Sequence, residues 1–75
     1  LTVAEAEARA ARNGLRLEFD DRDAGPSWPG KRFASAHLFD GQRQVAGVAH
    51  SYGDEASRQR ALSFCAKWVF YAPTG

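Results

Sequence analysis

The sequence predicts an α+β fold in the order α-β-β-β-α, a three-stranded antiparallel sheet with two helices packed on one face. Three observations carry this. Asp40-Gly41 separates two extended runs, Phe33–Phe39 and Val45–Ala49, and Asp-Gly in that setting is a strong hairpin signal because both residues tolerate positive φ. Upstream, Leu15, Leu17 and Phe19 alternate with polar residues, the pattern of a half-buried strand. On both flanks the apolar spacing changes from the strand period to the helical one. Connections are short, so both apolar helix stripes are buried most simply on the same side of the sheet.

The chain has 75 residues, one domain near the lower limit for folding without staples. A core of this size supplies about 3–5 kcal/mol of net stability. The single cysteine excludes an internal disulfide and suits a reducing, intracellular setting. The text opens at Leu1 inside a helical pattern, which suggests a single domain over 1–75 taken from a longer protein. The longest apolar run, Trp68–Ala72, is too short to span a bilayer, so no membrane association is expected. Ten Lys and Arg against nine acids give a net charge of +1, which by itself selects no partner.

Taken in order, Thr2-Val-Ala-Glu5 matches a capping box, Ala4 to Arg12 are good helix formers, and Asn13-Gly14 is a left-handed stop. Glu5 and Arg9 are spaced to pair along the helix, with Arg12 on the same side. The first strand is expected to end at Asp20-Asp-Arg-Asp23. Ala24 to Gly30, with Pro26 and Pro29, is loop. It carries Trp28 into Lys31-Arg32, either as a contact device or folded back over the core. In the second strand Phe33, Ser35, His37 and Phe39 share one face and Ala34, Ala36 and Leu38 the other, and the alternation does not say which is buried. The last helix is expected over 54–72. Its apolar side is read as Ala61, Phe64, Cys65, Trp68, Val69 and Ala72, with Trp68 as core anchor. Phe70 falls among polar residues and is expected exposed, as a protein-contact residue.

Catalytic chemistry finds no support. His37, His50 and Cys65 lack zinc-site spacing, although the two histidines are placed to meet across the hairpin. Cys65 lies on the apolar side of its helix, unsuited to reactivity. Asp20, Asp21 and Asp23 do not fit a calcium loop, and Gly25–Gly30 lacks the ending of a phosphate-binding loop. No nucleophile with an orienting base is visible. The expectation is a non-enzyme without metal or cofactor.

Arg12-Asn-Gly14 leading into Leu15–Phe19, the Gly25-Pro26 loop, Phe33, the Asp40-Gly41 turn, Gly47, Ser51 and Glu55-Ala56 follow one another as in the double-stranded-RNA-binding domain. Over nearly its whole length the chain resembles a divergent member of that family. The resemblance implies contacts to double-stranded or structured RNA from Arg9 and Arg12 on the first helix, from Trp28, Lys31 and Arg32 at the loop, and from Arg58 and Arg60 on the last helix. Duplex RNA is read through shape, 2′-hydroxyls and phosphates, so affinity depends on fixed cations. Three places differ from the family pattern. On the first helix Ala8, with Glu7 beside it, stands where the family offers a glutamate to the minor groove. Trp28 stands where the loop has histidine, and Tyr52-Gly-Asp-Glu-Ala56 stands where the last helix opens with lysines. These differences motivate an alternative, the same fold used for protein contact at the C-terminal helix, through Phe70.

Overall fold

The computed structural model describes residues 1–71 and has the elements α1 Val3–Arg12, β1 Arg16–Asp23, β2 Arg32–Asp40, β3 Arg43–Tyr52 and α2 Glu55–Trp68. The strands form one antiparallel sheet in the order β1-β2-β3, with both helices on one face. This is the expected α+β arrangement. Helix α1 begins at the expected capping box, Glu5 N–H donating to Thr2 Oγ1 and Thr2 N–H to Glu5 Oε1, each at 3.1 Å. It stops at Asn13, followed by Gly14 at φ +71°. Glu5 is thus turned back onto the cap rather than toward Arg9.

Helix-facing residues of the sheet are Leu17, Ala34, Ala36, Leu38, Ala46 and Tyr52, all buried. This settles the face of β2: its alanines and Leu38 meet the helices, while Phe33, His37 and Phe39 remain half-buried on the open side with the buried Ser35. At the hairpin Gly41 alone takes positive φ, +64°, and Asp40 pairs with Arg43.

Three expectations need correction. Strand β1 continues through Asp20–Asp23 instead of ending there, because Asp21, on the inward face, meets cationic and hydroxyl partners rather than bare apolar surface. His37 and His50 do not meet: His37 pairs with Gly47 and His50 with Ala34, which places them on opposite faces. Helix α2 ends at Trp68, and its buried side is Ala61, Leu62, Cys65 and Ala66, continued by Val69. Phe64 and Trp68 are 39% and 43% exposed, so Trp68 is not the core anchor. The cause is the alanine floor of the sheet. Ala34 and Ala36 let α2 approach closely, with Cys65 Sγ 3.4 Å from the Ala34 carbonyl oxygen, and only small residues fit that seam. Ala72 lies outside the described residues.

Candidate interaction surfaces

The expected RNA-contacting residues fall into separate groups. Arg32 and Arg58 converge inward on one carboxylate. Arg58 Nε lies 2.8 Å from Asp21 Oδ2 and Arg32 Nε 3.0 Å from Oδ1, while the Tyr52 hydroxyl donates to the same Oδ1. These bonds, Tyr52 first and then the two guanidinium groups, hold the Asp21 carboxyl down to about 2. Each arginine thus already has an acidic partner.

Lys31 and Arg60 gather near the start of α2. The loop is pinned by Ala24 N–H to Lys31 carbonyl, 2.9 Å, and Trp28 N–H to Gly25 carbonyl, 3.1 Å. Trp28 rests edge-on against Phe33 with centroids 5.9 Å apart, yet stays 48% exposed. Lys31 Nζ lies 6.0 Å from the Trp28 ring and leans over Gly53. The helix terminus itself is filled by the protein. Ser57 N–H donates to Asp54 Oδ1 at 2.8 Å, and the Ser57 hydroxyl also donates to that carboxylate. The Asp54 carboxyl is lowered by the Ser57 side chain, then by the Ser57 backbone, with Arg60 and Lys31 adding to the effect. A helix N-terminus offers donors and partial positive charge to an anion, and Asp54 has taken that place.

Arg9 and Arg12 form the third group. Arg9 stacks over Phe70, 4.8 Å to the ring centroid, and lies 6.0 Å from that of Tyr71. Phe70 is therefore half-buried against the domain's own core and Arg9, which corrects the expectation that it is exposed. Arg12 is exposed and makes no ion pair among the described residues. Arg9 sits by the end of α2 and Arg58 in its first turns, separated by about 15 Å of helix axis.

Charge counts decide how cationic the loop end is. Arg22, Lys31, Arg32, Arg58 and Arg60 are matched there by Asp20, Asp21, Asp23, Asp54 and Glu55. Counterion release needs uncompensated cations, and this end has a net charge of zero.

A different surface emerges along the outer flank of α2. His50, Phe64, Trp68 and Tyr71 form an aromatic row, with successive centroids 4.5, 6.1 and 5.8 Å apart. Phe64, Trp68 and Tyr71 are all exposed, and Lys67 Nζ lies 5.2 Å from the Trp68 ring. His50 Nδ1 donates to the Ser51 carbonyl at 2.7 Å, and its ring is steeply inclined to that of Phe64, at 63°. Reading the helix by its largest side chains hid this row. The small residues Ala61, Cys65 and Ala66, matched with Ala34 and Ala36, were the signal for the true phase.

Beside the row runs β3, an edge strand. From Gln44 to Gly53 it carries no Asp, Glu, Lys or Arg, whereas the other edge, β1, has charges at Arg16, Glu18 and Asp20–Asp23. On the open sheet face, a shallow hollow of about 520 Å³ is lined by Arg22, Ser35, His37, Gln44 and the β3 backbone near Gly47. His37 Nδ1 is buried there without a hydrogen-bond partner, but Glu18 and Asp20 pair with His37 and Ser35 on the same face, so the hollow is not a basic site. Among the described residues, no cluster of three or more metal-ligating side chains occurs and no helix is long and apolar enough to cross a membrane. Burial raises the Cys65 thiol.

No family model matches the chain, and no match was found among curated proteins or solved structures.

Proposed function

We propose that the domain is a non-catalytic, intracellular protein-contact module. The observation that carries this reading is the exposed row Phe64, Trp68 and Tyr71 on the flank of α2. Exposed aromatics gathered in one place are enriched at interface cores. The surface differs from the Phe70 site read in the sequence, but it belongs to the same helix end. Compensated charge at the loop end favours this reading over nucleic acid.

A second reading, a divergent double-stranded-RNA-binding domain, draws support from Trp28 and Lys31 lying together at the loop, with Lys31 and Arg60 both near Asp54 at the start of α2. The two separate in a titration of RNA duplex at low salt. The contact reading expects no saturable binding by the natural sequence. It also expects binding to appear in Glu55→Lys, which restores a cation while leaving the Asp54 cap in place. The RNA reading expects saturable binding whose log K falls with log salt at a slope of about −2 to −3, from roughly three free cations. Saturable binding of that kind overturns the contact reading.

A further inference from the structure

The two sheet edges differ in a way that bears on what covers the aromatic row. Strand edges expose unpaired N–H and C=O groups, and proteins guard them with charge, proline or bulges. Edge β1 is guarded by Arg16, Glu18 and Asp20–Asp23. Edge β3 is ten residues long, its register shift lies at the hairpin end, and it is uncharged from Gln44 to Gly53. A strand added there sits about 4.8 Å beyond β3, and its helix-side residues reach toward His50, Phe64 and Trp68. Backbone pairing and aromatic burial are thus offered by one continuous surface.

We infer that the occupant is a second copy of this chain, joined antiparallel through β3 about a two-fold axis perpendicular to the sheet. This rests on the contact reading above and names its partner. Pairing β3 with the β1 edge of another copy would press a neutral strand against a row of charges and would propagate without closing. The β3-to-β3 arrangement closes, extends the sheet to six strands, and keeps both α2 helices on one face. Directly opposed residues of an antiparallel pair share a face, so the axis must pass midway between the two copies of one residue that pairs with itself. Centring it on Ala49 sets Val48 of one copy against His50 of the other, beside the aromatic row. The same register aligns the strand's ends. Arg43 opens β3 and Asp54 follows its end, so Arg43 of one copy comes beside the Asp54-Glu55 corner of the other. Lys31 and Arg60 also flank Asp54, so this match selects direction rather than strength. The area is sufficient for a weak dimer: the row exposes on the order of 300 Å² of aromatic surface, at the lower end of patches that mark interaction sites, and the strand edge adds to it.

Ala49 is exposed on the open face, at the proposed axis, which permits a test by charge exchange. Sedimentation equilibrium of the natural chain at concentrations of order 0.1–1 mM, where a small interface is populated, should show monomer passing to dimer and no larger species. Ala49→Lys and Ala49→Glu should each weaken the dimer by about tenfold or more, with circular dichroism unchanged. An equimolar mixture of the two variants should restore association, because a two-fold contact sets the introduced ammonium of one copy against the introduced carboxylate of the other. A monomer throughout this range overturns the proposal, as does a dimer indifferent to both substitutions or one not restored by mixing. RNA titration of the same samples separates the outcomes: a monomer that ignores RNA removes self-association alone, whereas a chain that binds duplex RNA removes the contact reading as well.

Discussion

Asp21 shows how one residue redirects several others. A carboxylate on the inward face of β1 would be costly unpartnered, and the chain surrounds it with Tyr52, Arg58 and Arg32. The sign of its pH dependence follows from the depressed carboxyl. Its contribution is complete above the ordinary value of 3.8 and is lost as pH falls through about 2. Glu5 and Asp54 are also lowered, by hydrogen bonds with Thr2 and Ser57 respectively, and act in the same direction. The natural protein should therefore lose thermal stability between about pH 4 and pH 2, and Asp21→Asn should flatten that slope while lowering the melting temperature at neutral pH. Melting curves across this range check both; an equal slope in the variant would show that the depressed carboxyl is not what the pH senses.

At the scale of elements, α2 is positioned by its smallest side chains. Trp68→Ala removes an exposed ring and should cost about 1 kcal/mol or less, while Ala66→Leu must force a larger side chain into the seam and should cost about 1–3 kcal/mol. Urea midpoints of the two variants should fall in that order, and the reverse order would place Trp68 in the core. The existence of every element was legible in the sequence, because capping box, hairpin turn and alternation are local signals. The rotation of α2 was not. Phe64 and Trp68 form an apolar row as regular as Leu62, Ala66 and Val69, and only the opposing Ala34 and Ala36 reject the larger set. The extension of β1 was hidden for a related reason: three aspartates read as a terminator until Asp21 has partners from β2, β3 and α2.

On the scale of the whole molecule, the cations expected to act together are divided by tertiary contacts that spacing does not show. Arg9 stacks on Phe70, Arg32 and Arg58 hold Asp21, and Lys31 and Arg60 attend Asp54. The aromatic row and the uncharged β3 edge, by contrast, come together from distant parts of the chain on one side. Asp21, Arg32, Tyr52 and Arg58 come from all three strands and α2, so their mutual bonds close only after those elements have docked. Contacts formed that late are absent from the folding transition state and govern how long the native state persists. In stopped-flow kinetics Asp21→Asn should accelerate unfolding while leaving the folding rate nearly unchanged; a slowed folding limb would mean that these four residues assemble early. With unfolding alone accelerated, the cluster acts as a latch, setting the lifetime of the folded domain more than the speed of its formation.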